Sequence, residues 1–279
     1  MLKKILQRLF NRLPASIRYE IFYQSARSLN IESYGVAGHA GTFAGPAWDV
    51  TIMKSYINGV VWPQHEIDVI AAFFKGHRQQ GTFYDIGANI GMVSIPIAQL
   101  GVKVISFEPD HLNRGLLRAN LARNCPDAIV TIDPRAVWRE TTSLRFARSN
   151  YNSGDHHVDR QGEIEVPAVA LDDLTIPAGP LAIKIDAQGA EPNIFAGAAK
   201  TLKSADMVLS EFWPFGISRM GLKPDAILDA VREFPHARFV SADAPAWLTG
   251  PALADQLLKL GRNTSRQNEV DFILAQERF

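Results

Sequence analysis

The stretch FYDIGANIGMVSIPIAQLGVKVISFEP, residues 83–109, reads as a strand, a glycine turn, a helix and a second strand that ends in an acid. Apolar Phe83, Tyr84 and Ile86 surround Asp85, which predicts a strand over residues 82–86. Gly87 and Gly91 then open a turn in which a ligand approaches the backbone without interference from Cβ atoms. The second strand, residues 102–107, delivers Glu108. An ionised carboxylate placed there accepts both hydrogen bonds of a ribose diol, having two oxygens and no donor. The unit is expected to hold an adenine nucleoside, with Asp85, Gly87, Gly91, Phe107 and Glu108 as its cofactor-binding residues.

The dinucleotide fingerprint G-x-G-x-x-G uses the same geometry, with its acid about 20 residues beyond the glycines. Here the series reads Gly87, Asn89, Gly91, with asparagine where a pyrophosphate cradle needs its second glycine. That disfavours a diphosphate, and with it a nicotinamide oxidoreductase. A cofactor without phosphate, whose amino-acid tail lies along the turn, fits better: the turn offers backbone N–H groups and Asp85 meets an ammonium. S-adenosylmethionine has that make-up.

With 279 residues, 47% of them hydrophobic, the chain suits one large domain with an appendage. The expected division is an N-terminal helical and irregular extension, residues 1–62, followed by an α/β domain, residues 63–279. Lys plus Arg, at 29, balances Asp plus Glu, at 29, so no bulk basic field draws the chain to nucleic acid. A lone cysteine, Cys125, excludes an intramolecular disulfide and suits a reducing, cytoplasmic compartment. No apolar run reaches the roughly 20 residues that span a bilayer, and no secretory signal is expected. Residues 2–13, LKKILQRLFNRL, place Leu2, Ile5, Leu6, Leu9, Phe10 and Leu13 on one helical face, with Lys3, Lys4, Arg8 and Arg12 elsewhere. This basic amphipathic helix is expected to pack on the domain or on a second subunit, with contact to an anionic membrane surface and a transit peptide as the alternatives.

Pro14 ends that helix, and residues 17–29 form the next. The glycine-rich residues 35–50 are expected as turns or short strands near the site mouth. Pro63 opens a helix to Lys75 that Gly76 terminates. From residue 82 strands and helices alternate: strand 82–86, a helix from Gly91 that Pro96 kinks or starts late, strand 102–107, a helix from Asp110 to Arg123, and strand 128–132. Asp110 caps the helix whose buried side is Leu112, Leu116, Leu117 and Leu121. Residues 143–169 read as an inserted hairpin around the polar loop 150–157. Strand 181–185, a helix from Glu191 to Leu202, strand 207–209, a helix from Pro224 to Phe234 and strands 238–241 and 270–275 follow. The sum is an α/β fold with a seven-stranded, parallel sheet covered by helices on both faces.

Three blocks together, FYDIGANIG with SFEP, LDDL at residues 171–174 and LAIKIDAQGAE at residues 181–191, resemble the FkbM-type S-adenosylmethionine-dependent methyltransferases over about residues 50–215. The family pattern runs D-x-G-A-N-x-G, F-E-P, L-D-x-L, K-x-D-V-E-G-A-E and a strand ending in Glu. By that resemblance Asp85, Gly87, Asn89, Gly91 and Glu108 fall on cofactor positions, Lys184, Asp186, Gly189 and Glu191 on the third block, and Glu211 on the last. Gln188 stands where the family commonly has Glu. The resemblance implies a Rossmann-like methyltransferase fold and O-methylation of a sugar, glycan or small secondary metabolite. Acceptor choice is expected from residues 1–50 and 215–279, which carry no comparable signature.

Methyl transfer from a sulfonium is an in-line displacement, accelerated by alignment and by removal of water. An alcohol is a weak nucleophile, so a carboxylate within hydrogen-bond reach is needed to take its proton. Asp186, at the carboxyl end of a central strand, is the first choice of catalytic residue, followed by Glu211 and Glu191. The competing readings are that Asp186 caps a turn or pairs with Lys184, and that Glu191 favours its helix N-terminus. A divalent cation between Asp186 and Glu211 lacks a third obvious ligand, so no metal is expected. Asp155, His156 and His157 read as a solvated loop and LDDL as a turn, and the family resemblance implies that Asn150, Asn152 and Gly154 line the methyl or acceptor site. Phe107 and Trp138 are candidates to flank adenine, Trp213 and Phe215 to form an acceptor wall. Two other classes stay open. One is a nucleic-acid methyltransferase, which would want a basic groove and a base-flipping motif; the other is a membrane-surface accessory protein with a relic pocket.

Overall fold

The computed structural model describes residues 2–61, 63–77, 80–241, 243 and 245–279. The expected boundary between extension and α/β domain falls at Trp62, outside the described residues. Two helices, α1 (Leu2–Arg12) and α2 (Ala15–Ser28), lead into an antiparallel hairpin, β1 (Ser33–Gly38) and β2 (Gly41–Pro46), and a short α3 (Ile52–Ile57). The alternating core follows: α4 (Gln64–Gly76), β3 (Thr82–Ile86), α5 (Ser94–Gln99), β4 (Lys103–Phe107), α6 (His111–Asn124) and β5 (Val130–Asp133). A separate sheet is then inserted, made of β6 (Ala136–Val137), β7 (Thr142–Ala147), β8 (His157–Val158) and β9 (Ile164–Val169). The chain continues through β10 (Leu181–Ile185), α7 (Glu191–Ala196), α8 (Ala199–Ser204), β11 (Met207–Phe212), α9 (Pro214–Arg219) and α10 (Leu228–Arg232). It closes with β12 (His236–Phe239), α11 (Gly250–Leu260) and β13 (Val270–Ala275).

The main sheet has seven strands in the order β12-β13-β11-β10-β3-β4-β5. β11, β10, β3, β4 and β5 run parallel, and β13 is antiparallel to both of its neighbours. This is the Rossmann-like sheet expected from the sequence, with antiparallel β13 as the departure. Every residue of β3 and β10 is buried, so both read as apolar runs interrupted by Thr82, Asp85 and Lys184. Strand alternation sends Phe83 and Ala182 into one buried cluster and Tyr84 and Ile183 into another, one on each face of the sheet. Phe43, Met53 and Tyr56 join the first of these. Chain order reverses between β3 and β10, which opens a crevice at the carboxyl ends of the strands.

Pro96 lies in the first turn of α5, which starts late, at Ser94. Asp110 caps α6, accepting from the Leu112 and Asn113 N–H groups at 2.9 and 3.0 Å. Leu117 is buried and Leu116 and Leu121 pack against the same cluster, as expected, but Leu112 is exposed, and Asn113 and Asn120 are buried on that face. Asn120 accepts from the Ala44 N–H at 2.7 Å and donates to the carbonyls of Ala44 and Ile90 at 3.0 and 2.9 Å. One turn further on, Asn124 accepts from the Thr42 N–H and donates to the Thr42 carbonyl, both at 2.9 Å. Two amides a helical turn apart thus match alternate backbone positions of β2 and cover an edge that would otherwise be open. Asn120→Ala strands one donor and two acceptors. It is expected to lower the unfolding free energy by about 2 kcal/mol, seen as a lower urea midpoint at unchanged slope.

The single helix expected from Glu191 to Leu202 is two helices, α7 and α8, broken at Gly197 and Ala198. Asp172 of the LDDL block binds α8 at its start, accepting from the Lys200 and Thr201 N–H groups and the Thr201 hydroxyl. The block closes a turn, as its composition indicates, and also holds a helix end. The helix expected from Pro224 to Phe234 is a 3₁₀ turn over Pro224–Ile227 that runs into α10.

Candidate active site

The carboxyl ends of β3, β4, β10 and β11 open into a cavity of about 740 Å³. At its cofactor end Gly87 has φ = +81°, and a Cβ there would collide with the Asp186 carbonyl oxygen, so glycine lets the turns after β3 and β10 meet. The Gly87 and Ala88 N–H groups donate to the Phe107 carbonyl at 3.0 and 3.1 Å, tying the turn to β4. Asn89 is left-handed, with φ = +50°, a conformation asparagine tolerates. Its N–H donates to Glu108 Oε2 at 2.7 Å, and its buried Oδ1 has no partner. Glu108 Oε1 accepts from the Asp110 N–H at 2.9 Å. Glu108 is 4% exposed. Burial pushes its pKa up from 4.5 to about 7, against the pull of those two backbone donors.

Asp85 is buried, with Oδ2 accepting from the Ser94 hydroxyl at 2.6 Å. Its Oδ1 has no hydrogen-bond partner and lies 3.9 Å from Lys184 Nζ. Burial raises the Asp85 pKa, and Lys184 opposes the rise. Orphaned acceptors on Asn89 and Asp85, together with a Glu108 whose oxygens each keep a further lone pair, suit a ligand bearing an ammonium and a diol. S-adenosylmethionine fits that donor set.

Three expectations for this end change. Gly91 does not line the cavity; with φ = +95° and a would-be Cβ 2.6 Å from Leu117 Cδ1, it is a packing glycine beneath α6. Phe107 lines the wall, but its ring is buried edge-on against Tyr84 at 5.7 Å and offers little face to adenine. Trp138 packs with the buried clusters, away from the cavity.

The adjoining part of the cavity is organised by Lys184, 3% exposed. Its Nζ lies 3.0 Å from Asp186 Oδ2, 3.8 Å from Glu66 Oε2 and 3.9 Å from Asp85 Oδ1. Burial alone would discharge a lysine; three carboxylates reverse the effect and keep it charged. The competing reading of Asp186, pairing with Lys184, is what the structure shows. Its other oxygen accepts from Gln188 Nε2 at 3.0 Å. Gln188 therefore supplies a donor where a glutamate would set a second carboxylate against Asp186. Glu211, in register with Asp271 of β13, is different, because its Oε2 is buried without a partner. Burial, then Asp186, Glu191, Asp271 and Glu269, push its pKa well above the usual carboxylate range. Glu191 departs from its expected catalytic place. It is fully buried off the cavity wall, and its Oε1 accepts from the Ala187 and Gly189 N–H groups at 2.9 and 3.3 Å, bracing the turn after β10.

Residues that no motif marks complete the wall: Glu66 of α4, and Glu269 and Asp271 at β13. Among the described residues no three His, Cys, Asp or Glu side chains are grouped to hold a metal ion. Buried Asp49 accepts from the Ser153 N–H and hydroxyl, at 2.8 and 2.6 Å, and from the Thr51 N–H at 2.8 Å, fastening the loop after β7 to the N-terminal segment. In that loop Asn152 and Gly154 line the cavity, and Asn150 does not. The middle of the loop is not solvated as its polarity suggests, although Asn150 and Tyr151 are exposed. Asp155 is buried against Arg219 at 3.0 Å, and buried His156 accepts from the Ser149 N–H at 3.1 Å and stacks on Trp48. At the mouth Trp213 lines the cavity, its Nε1 donating to the Arg266 carbonyl at 3.0 Å. Phe215 lies off the wall, with the Arg266 guanidinium 4.8 Å over its ring.

Comparison with known proteins agrees with this geometry. The family model described as the Methyltransferase FkbM domain matches residues 85–238. The hexuronic acid methyltransferase AglP of Haloferax volcanii is 26% identical over 155 residues, which cover 52% of this chain and 62% of that relative. The chain thus matches less than two thirds of the relative's length. Among solved structures, magnesium protoporphyrin IX methyltransferase (ChlM) of Synechocystis with bound SAM is similar with a TM-score of 0.43 at 13% identity, over 81% of this chain and 84% of the other. WbdD is similar with a TM-score of 0.48 at 10% identity, over 81% of this chain and 43% of the other. The family match takes in more than half of the chain and both ends of the cavity, from Asp85 to beyond Glu211. The chain belongs to the FkbM methyltransferase family, whose methyl donor is S-adenosylmethionine.

Proposed function

We propose that the protein is an S-adenosylmethionine-dependent O-methyltransferase acting on a hydroxyl of a sugar, glycan or small secondary metabolite. The observation that carries this reading is the unpaired, buried Oε2 of Glu211 in the same cavity as Glu108 and the glycine turn. The bound sulfonium supplies an electrophilic methyl group, which leaves behind a neutral thioether. Glu211 Oε2 takes the proton of the acceptor hydroxyl as its oxygen bonds to the methyl carbon. Asp186, fixed by Lys184 and Gln188, accepts a second hydrogen bond and orients the acceptor. The order of candidates from the sequence is reversed, because both Asp186 oxygens are engaged and Glu211 keeps one unpaired. A carboxyl whose pKa is raised gives, once ionised, a stronger base than an ordinary carboxylate. Turnover is expected to climb with pH as Glu211 ionises, and a rate that is flat across that limb would remove it as the base.

Charge bears on the acceptor. Glu66, Asp186, Glu211 and Asp271 converge on one end of the cavity and oppose a carboxylate there, whereas Arg266 on the rim offers a cation. An acidic sugar such as the one named for AglP would direct a hydroxyl inward and its carboxylate toward Arg266. The same carboxylates oppose a nucleic-acid backbone. The test is calorimetric titration with S-adenosylhomocysteine beside a nicotinamide dinucleotide, followed by transfer of a labelled methyl group to neutral sugars, uronic acids and RNA. Binding of S-adenosylhomocysteine with label on a sugar is the expected result. Label on RNA, or binding of neither cofactor, would overturn it.

A further inference from the structure

We propose that α1 docks the protein onto an anionic lipid surface. Every described side chain of this helix, from Lys3 to Arg12, is exposed, so the expectation that it packs on the domain is not met; the Leu2 side chain lies outside the described part. Ile5, Leu6, Leu9 and Phe10 are 45, 56, 55 and 38% exposed. Their spacing puts them on one face of the helix. Lys3, Lys4, Arg8 and Arg12 are exposed with them, and no acid occurs before Glu20. In the next helix Ile17 and Ile21 add exposed apolar side chains.

An apolar stripe of this kind calls for a covering surface, since a helix of this length is marginal in water without one. The charge selects the occupant. A second copy of α1 would bring four cations against four cations, whereas anionic headgroups supply the opposite sign, and acyl chains take the stripe. At about 16 Å for eleven residues, α1 is too short to span a bilayer and lies in its interface. α2 ties that interface to the active site. The Tyr19 hydroxyl donates to the Asp49 carbonyl at 2.8 Å, Phe22 packs edge-on against Tyr34 at 4.6 Å, and Asp49 holds Ser153 of the cavity wall.

The test is sedimentation of the full chain with vesicles of phosphatidylcholine alone and of phosphatidylcholine mixed with phosphatidylglycerol. Partitioning is expected to be at least about tenfold stronger on the anionic vesicles and to fall as salt is raised. A Leu6→Asp/Leu9→Asp variant and a Lys3→Glu/Lys4→Glu variant should each lose it by on the order of tenfold. Both should keep the parent's thermal melt, because no described side chain of α1 is buried. Absent or equal binding to both vesicles overturns the proposal. So does a dimer by light scattering that Leu6→Asp/Leu9→Asp dissociates while vesicle binding is absent, since the stripe would then belong to a second copy.

Discussion

Glu211→Gln is expected to lower kcat by about 10²- to 10⁴-fold, the usual worth of a positioned general base, with little change in the affinity for S-adenosylhomocysteine. The amide keeps the shape of the side chain and removes its capacity to take a proton. It also relieves part of a costly arrangement, since Glu211 is buried among Asp186, Glu191, Glu269 and Asp271. The variant should therefore be at least as stable as the parent, so a loss of turnover is not a loss of fold. Asp186→Asn differs in kind. It takes from Lys184 its nearest carboxylate, at 3.0 Å, and leaves a buried cation with partners only at 3.8 and 3.9 Å. That substitution should cost stability as well as rate. Single-turnover methyl transfer measured across pH separates the two: the rising limb should vanish in Glu211→Gln and survive, at lower amplitude, in Asp186→Asn. The opposite pattern would return the base to Asp186.

The parts of the site that the sequence reveals are those built by neighbouring residues. Gly87, Asn89 and Glu108 belong to one strand–turn–helix–strand unit, and the buried parallel strands around them announce themselves as apolar runs. Glu66 and Asp271 are different, because only the packing of α4 and the sheet order bring them together. β13 enters antiparallel between β11 and β12, and no local pattern predicts that insertion. Gly87 and Gly91 look alike in the sequence and both take positive φ, yet what stands behind each decides its use: another turn in one case, Leu117 in the other. The leucine pattern of α6 leaves out its buried asparagines, because the helix also covers a strand edge, which needs the amides of Asn120 and Asn124. Loop 150–157 misleads for a related reason. Its polar groups are satisfied by Asp49 and Arg219, both far away in the chain, so polarity there does not mean solvent.

Glu108→Ala is expected to weaken S-adenosylhomocysteine binding by about 10²- to 10³-fold, the loss of two hydrogen bonds to a charged acceptor. Alanine also leaves the Asn89 and Asp110 N–H groups without their acceptor, so Glu108→Gln, which keeps one oxygen, is the companion variant. The pH dependence gives a sharper test. Folding raises this carboxyl from 4.5 to about 7, so the folded state holds the proton more tightly than the unfolded chain. Its contribution to stability, on the order of 3 kcal/mol, is fully present below the unfolded value and is lost as pH rises through 7. Binding runs the other way. A ribose diol donates to the ionised form, so affinity should rise through the same window. One unit below the pKa only about a tenth of the protein is ionised, and binding should be roughly tenfold weaker there. Calorimetry in buffers of different ionisation heat should show a proton released on binding in the parent and none in Glu108→Gln. Unchanged affinity in the alanine variant, or a parent that binds equally well on both sides of pH 7, would mean that the ribose is not at Glu108. The opposed slopes have one cause: a carboxylate buried without enough donors destabilises the empty fold by the same interaction that a diol then completes.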